Sequence, residues 1–170
     1  ENDIIFLGNS ITAFCDWNEL FGNTNIKNRG ISGDQINDII DRLPSLTNSN
    51  PKKIFLLIGI NDLGKNRSVS QILNDYEKLV QIISMNSKTE LFLQSILPTK
   101  GKKSMKNKEI VEINKGIYKL SIRYSATYIN LFDKFKTDSN ELNMKYSFDG
   151  LHLNGPGYLL WKEILLDYIK

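Results

Sequence analysis

Short apolar runs alternate along the chain with longer segments in which apolar residues recur every three or four positions. An uninterrupted run such as Ile4 to Leu7 is typical of a strand that is covered by helices on both faces. The apolar runs predict five strands, at residues 3–8, 26–29, 53–58, 90–97 and 126–131.

The segments between these runs show the periodicity of amphipathic helices. The first helix is predicted to follow the first strand and to continue to about Leu20, and Asp34 is predicted to cap the second. The remaining helices are predicted at about 70–84, from about 108 to Tyr124, and at 156–169. Residues 99–108, rich in lysine, are predicted to form a surface loop, and residues 133–148 an irregular segment.

Regular alternation of strands and helices predicts an α/β fold in which a parallel sheet lies between two layers of helices. The sequence has no internal repeat, linker or shift of composition, so a single domain over residues 1–170 is expected. In such a sheet, functional residues collect at the carboxyl ends of the strands.

Composition narrows the classes of function. A hydrophobic content of 41%, a charged content of 24% and a net charge of +3 are ordinary for a globular protein and do not favour nucleic-acid binding. No apolar run reaches the roughly 20 residues of a membrane span. Cys15 is the single cysteine, which excludes an internal disulfide and a cysteine metal cluster. The chain starts at Glu1 and not at methionine, which is compatible with the removal of an export signal.

His152 is the only histidine in the chain, and Asp149 precedes it by three residues. Histidine is the side chain best suited to take and return a proton near neutral pH. A carboxylate can orient the ring through one nitrogen and leave the other free. If the chain uses an imidazole as a general base, that base is His152.

Polar segments with glycine follow the first three predicted strands, and a fourth precedes the last helix. They are Gly8-Asn9-Ser10-Ile11, Gly30-Ile31-Ser32-Gly33, Gly59-Ile60-Asn61-Asp62 and Asp149-Gly150-Leu151-His152. Together they suit acyl transfer: Ser10 as nucleophile, and the N–H groups of Ser10 and Gly33 with the amide of Asn61 as oxyanion donors. Each residue also has a plain structural interpretation, Ser10 as a helix cap and Gly33 and Asn61 as turn residues.

These four segments resemble, in order, the four sequence blocks of the SGNH (GDSL-type) hydrolases, especially compact bacterial esterases akin to platelet-activating-factor acetylhydrolase and carbohydrate acetylesterases. The resemblance implies a flavodoxin-like, three-layer α/β/α sandwich with a five-stranded parallel sheet. It also implies that Ser10 is the nucleophile, that His152 is the base oriented by Asp149, and that Gly33 and Asn61 contribute to the oxyanion hole. The first block departs from the usual Gly-Asp-Ser-Leu at Asn9 and Ile11.

The function that follows is a cofactor-independent serine esterase that needs no metal and acts on short-chain, mainly acetyl, esters. The chain has no insertion large enough to form a lid over a long acyl chain. The resemblance adds a carbohydrate as the expected alcohol and, because several members of the family are exported, favours an extracytoplasmic protein with its export signal removed. Residues 99–108 and 133–148 are expected to shape the alcohol side of the site.

Three alternatives remain open at this stage. Residues 8–12 could bind a phosphate at a helix N-terminus, as in a non-catalytic flavodoxin-like ligand-binding domain. Asp34, Asp62, Asp149 and His152 could form the metal site of a hydrolase, although one histidine makes a poor ligand set. The chain could also be an esterase-like domain that binds sugar without catalysis.

Overall fold

Five parallel strands form a single sheet in the computed structural model of the chain, which describes residues 2–47, 50–85, 88–101 and 106–170. The strands are β1 (Ile4–Gly8), β2 (Ile26–Gly30), β3 (Lys53–Leu57), β4 (Glu90–Gln94) and β5 (Thr127–Ile129). Their order across the sheet is β2-β1-β3-β4-β5. The strand that carries the Ser10 segment therefore lies between the two strands that lead to Gly33 and Asn61.

Eight α-helices are present in the described residues, and they cover both faces of the sheet. They are α1 (Ser10–Ala13), α2 (Trp17–Phe21), α3 (Ile36–Thr47), α4 (Ile60–Gly64), α5 (Val69–Ser84), α6 (Asn107–Arg123), α7 (Phe132–Phe135) and α8 (Gly155–Ile169). Side chains of α3, α5 and α6 share one hydrophobic core with the sheet, and those of α1, α2 and α8 share the other. The predicted three-layer α/β/α architecture is confirmed.

Alternate strand residues supply the two cores, because successive side chains of a strand point to opposite faces. On the α8 face, Phe6, Phe55 and Phe92 are register partners on β1, β3 and β4. Their rings stack at centroid separations of 5.0 and 4.4 Å. Trp17 stacks on Phe6 at 4.2 Å, and Trp161 meets Trp17 edge-on at 4.8 Å. This aromatic column supports the strand that leads to Ser10.

The prediction of one helix continuing to Leu20 is wrong, because the helix breaks between α1 and α2. The side-chain amide of Asn28, on β2, donates hydrogen bonds to the carbonyl groups of Thr12, Ala13 and Cys15 at 3.1, 3.1 and 2.8 Å. These bonds satisfy carbonyl groups that a continuing helix would otherwise bind, so the chain can turn after one helical turn.

Asp34 does not cap the second predicted helix, which begins at Ile36. Its carboxylate forms an ion pair with Arg42 on the same helix. The carboxylates of Asp38 and Asp62 instead accept the N–H groups of residues 35 and 36. The sequence could not indicate this arrangement, because Asp62 arrives from a different part of the chain.

The other predicted helices, α5, α6 and α8, begin and end within about two residues of their predicted limits, whereas the short helices α4 and α7 were not predicted. The predicted surface loop, residues 99–108, is described only at 99–101 and from 106 onward, so Lys102, Lys103 and Met105 lie outside the described residues. In the part of the chain that is described, no helix combines the length and apolar character that crossing a membrane requires.

Candidate active site

Ser10 is the first residue of α1, directly after β1, and its side chain is almost fully buried. The cap of the helix is Asn9, whose Oδ1 accepts the N–H of Ile11 at 3.0 Å. The interpretation of Ser10 as a helix cap is therefore wrong, and its hydroxyl is free for another partner. That partner is His152, whose Nε2 lies 3.0 Å from the Ser10 Oγ.

Asn9 stands where the resemblance predicts an aspartate, and it keeps the capping bond through its amide oxygen. Its side chain is fully buried. The Nδ2 atom has no hydrogen-bond partner among the described residues. Asn9 therefore supplies the capping bond of this turn and leaves one buried donor unsatisfied, which is rare in folded proteins.

His152 is held through its second ring nitrogen. Its Nδ1 lies 2.7 Å from the Asp149 Oδ2, and 20% of its side chain is exposed. An ionised carboxylate can only accept hydrogen bonds, so we assign the imidazole proton to Nδ1. Nε2 then presents a lone pair to the Ser10 hydroxyl, which is the arrangement that a general base requires.

Asp149 remains ionised over a wide range of pH. Partial burial alone would raise the pKa of its carboxyl group. Hydrogen bonds from the His152 ring and from the N–H groups of His152 and Leu151 outweigh that effect and lower the pKa to about 2. Because Oδ1 accepts the two N–H groups at 2.7 and 2.9 Å, the same carboxylate shapes the loop and orients the ring.

Ser147 closes this loop, and sequence reasoning did not identify it. Its Oγ donates to the carbonyl group of His152 at 2.6 Å and accepts the N–H of Gly150 at 2.9 Å. The loop is also tied to the 99–101 segment, since the N–H of Lys100 donates to the Gly150 carbonyl group at 2.8 Å. These bonds fix the backbone on both sides of Asp149.

Gly30 and Gly33 serve different purposes at the end of β2. A Cβ atom on Gly30 would lie 2.3 Å from the backbone nitrogen of Ala13, so glycine lets α1 pack against this strand end. Gly33 has a φ of +90°, a conformation that L-residues with side chains rarely adopt. The N–H of Ile31 donates to the carbonyl group of Gly8 at 3.1 Å, which holds the Gly33 loop beside the nucleophile segment.

Asn61 lies in the first turn of α4, after β3, and its Nδ2 donates to the carbonyl group of Asp34 at 2.9 Å. This bond joins the Asn61 segment to the Gly33 loop. The second hydrogen of the Asn61 side-chain amide remains available to donate a hydrogen bond to a substrate. Within the described part of the chain, the N–H groups of Ser10 and Gly33 have no hydrogen-bond partner either. The structure thus brings all five predicted site residues to one edge of the sheet.

The four groups considered as metal ligands are divided among separate partners. Asp34 pairs with Arg42, and Asp62 with Arg67. Burial raises the pKa of Asp62, opposed by the hydrogen bonds from Arg67 and from the N–H of Ile36. Asp149 and His152 bind each other. Among the residues that the structure describes, no group of three or more such side chains could hold a metal ion.

Arg42 is a second residue that sequence reasoning did not identify. Its Nε and Nη2 atoms donate to the Asp34 Oδ2 at 3.0 and 2.8 Å, and Nη2 also donates to the carbonyl group of Arg29 at 2.9 Å. A further contact joins Nη2 to the carbonyl group of Gly8 at 3.4 Å. One guanidinium therefore links the ends of β1 and β2 to the residue that follows Gly33.

We expect Arg42→Gln to lower kcat for a small ester by up to about 100-fold, the scale that slight misplacement of reacting groups can cause. Arg42→Lys should retain more activity, because one cation can still bind Asp34. Arg29→Gln is the matched control, since among the described residues the exposed Arg29 guanidinium binds only the adjacent Asn28 carbonyl group. A lower melting temperature with unchanged kcat in Arg42→Gln would reduce the role of Arg42 to stability.

Comparison with known proteins gives a consistent result. The family model for the GDSL-like lipase/acylhydrolase family matches residues 6–160. Platelet-activating factor acetylhydrolase IB subunit alpha2 of Homo sapiens is 27% identical over 168 residues, which cover 93% of this chain and 72% of that protein.

Solved structures extend the comparison. A protein from Streptococcus pneumonia described as a platelet activating factor is 34% identical, with a TM-score of 0.90; the match covers 100% of this chain and 85% of that one. Axe2, an acetylxylan esterase from Geobacillus stearothermophilus, is 15% identical with a TM-score of 0.82, over 99% and 94% of the two chains. The likeness to Axe2 is one of fold alone.

Proposed function

Because this chain belongs to the GDSL-like lipase/acylhydrolase family and is therefore a hydrolase, we propose that it is a serine esterase that removes acetyl groups from a carbohydrate or similar small alcohol. Family membership confirms the resemblance predicted from the sequence. It also disfavours the alternative of a non-catalytic flavodoxin-like ligand-binding domain.

The observation that carries the proposal is the hydrogen-bonded series from Ser10 through His152 to Asp149. Its two contacts, 3.0 and 2.7 Å, are within hydrogen-bond reach for a nucleophile, a base and an orienting acid. The nucleophile and the base are 142 residues apart in the chain, so local geometry alone does not produce the contact.

In the proposed reaction, His152 takes the proton of the Ser10 hydroxyl as Oγ attacks the ester carbonyl carbon. The N–H groups of Ser10 and Gly33 and the free amide hydrogen of Asn61 stabilise the oxyanion, each by about 3 kcal/mol. His152 then protonates the leaving alcohol. In the second half, His152 activates a water molecule that releases the acid and restores the Ser10 hydroxyl.

One relative and one fold neighbour support acetyl as the acyl group. The human relative is named an acetylhydrolase, and Axe2 is an acetylxylan esterase. The described helices and strands of this chain are joined without a large inserted subdomain that would enclose a long acyl chain. We extend the acetyl preference to this protein on these grounds. The carbohydrate rests on the resemblance of its sequence blocks to those of carbohydrate acetylesterases, and Axe2 is a fold neighbour of that kind.

The acyl preference is tested with p-nitrophenyl esters of one alcohol and increasing acyl length, namely acetyl, butanoyl and octanoyl. We expect kcat/KM to be highest for acetyl and to fall at least about tenfold by octanoyl, because each methylene that does not fit costs binding. A kcat/KM that rises with acyl length would refute the acetyl preference and leave the serine mechanism intact.

A further inference from the structure

Two phenylalanines at the candidate active site are placed unlike the other six. All eight phenylalanines lie in the described residues. Five are buried in the core and Phe21 is partly buried, whereas Phe14 and Phe148 are 55% and 63% exposed. Both exposed rings contact the same side chain, the imidazole of His152.

The two rings are attached to the reacting residues by short backbone paths. Phe14 ends α1, and its N–H donates to the carbonyl group of Ser10 at 3.0 Å. Phe148 immediately precedes Asp149. Their centroids lie 5.2 and 5.9 Å from the centroid of the His152 ring, inclined to it by 35° and 14°. These values are within the range of favourable aromatic contacts.

Contact with His152 covers part of each ring, and more than half of the surface of each phenylalanine remains exposed to water. Large apolar side chains that cluster on an exposed surface mark a place where a ligand or partner is bound. Because this cluster adjoins the Ser10–His152 pair, the simplest occupant is the substrate of that pair.

The chemistry of the proposed reaction decides which part of the substrate meets the rings. The leaving oxygen must approach the Nε2 atom of His152 to receive its proton. The carbonyl oxygen instead turns toward the donors of Gly33 and Asn61. The alcohol part of the ester therefore lies beside the imidazole, where Phe14 and Phe148 are.

We propose that Phe14 and Phe148 bind the alcohol part of the ester and select alcohols that present a flat apolar face next to the ester oxygen, as the C–H face of a pyranoside does. An aliphatic chain would be better held by an enclosed groove, whereas these rings are open to solvent. The inference rests on the proposed esterase function and adds the residues that distinguish one alcohol from another.

The test compares Phe14→Ala, Phe148→Ala and Phe148→Trp with the wild type on two acetyl esters. Methyl acetate has an alcohol too small to reach the rings, and an acetylated methyl xylopyranoside has a pyranoside ring. We expect each alanine variant to lower kcat/KM for the xyloside about tenfold or more, chiefly by raising KM. The kcat/KM of the same variants for methyl acetate should change less than threefold. Phe148→Trp should retain activity on the xyloside, since it keeps a flat aromatic surface.

Leu159→Ala is the control, because Leu159 is 54% exposed on α8, and it should leave both values unchanged. Equal losses on the two esters would overturn the proposal and assign the rings to positioning His152. Unchanged activity on both esters would overturn it as well. If the wild type hydrolyses no ester, the proposed function itself fails, which is a separate result.

Discussion

Ser10→Ala is expected to lower kcat/KM for p-nitrophenyl acetate by about 10⁴-fold or more, the scale reached when a serine nucleophile is removed from a triad. Alanine leaves no atom to attack the carbonyl carbon, and the binding surface stays in place. The fold should be unaffected, because Asn9 and not Ser10 caps α1. A continuous assay of p-nitrophenol release measures the loss, and a melting curve verifies that the variant is folded.

Ser70→Ala is the matched control for this substitution. Ser70 is also a serine in the first turn of a helix, but it is exposed and lies on α5. We expect its activity to equal that of the wild type. If Ser10→Ala retained wild-type turnover while remaining folded, Ser10 could not be the nucleophile.

Asp149→Asn should have the second largest effect, a fall in kcat of about 10⁴-fold by analogy with the corresponding change in a serine protease triad. The asparagine oxygen can still accept the N–H groups of Leu151 and His152, so the loop should keep its shape. Its amide group, however, would donate to Nδ1. The imidazole proton would then move to Nε2, where it blocks the acceptance of the Ser10 proton.

The wild type and Asp149→Asn should be compared near neutral pH, because the pKa of Asp149 is lowered to about 2. A carboxyl group with a lowered pKa stabilises the fold above its unfolded pKa, near 4, and that contribution is lost as the pH falls toward 2. Near neutral pH the wild-type carboxylate is fully ionised, so Asp149→Asn should show both the fall in kcat and a lower melting temperature. A variant with wild-type kcat and correct folding would exclude Asp149 as the residue that sets the tautomer.

Sequence patterns predict the sheet because each buried strand is a short, uninterrupted apolar run, and the helices because their apolar residues recur with helical period. The position of the candidate active site could be predicted from the fold. Parallel strands place their carboxyl ends on one edge, so Ser10, Gly33 and Asn61 could be expected together before any distance was known. The single histidine removed the choice of base.

Contacts between distant segments explain what the sequence did not predict. The break after Ala13 depends on the Asn28 amide reaching three carbonyl groups from a neighbouring strand. The role of Arg42 depends on the ends of two strands meeting beneath α3. The exposure of Phe14 and Phe148 is equally invisible in a sequence, where phenylalanine normally indicates a core position.

The most direct measurement is reaction of the folded wild type with a fluorophosphonate, followed by peptide mass spectrometry. Such reagents attach to a serine only where a base activates its hydroxyl. The account predicts one adduct, on Ser10, formed with loss of esterase activity and absent in folded His152→Ala. An adduct on another residue, or full esterase activity in protein whose Ser10 is labelled, would contradict it.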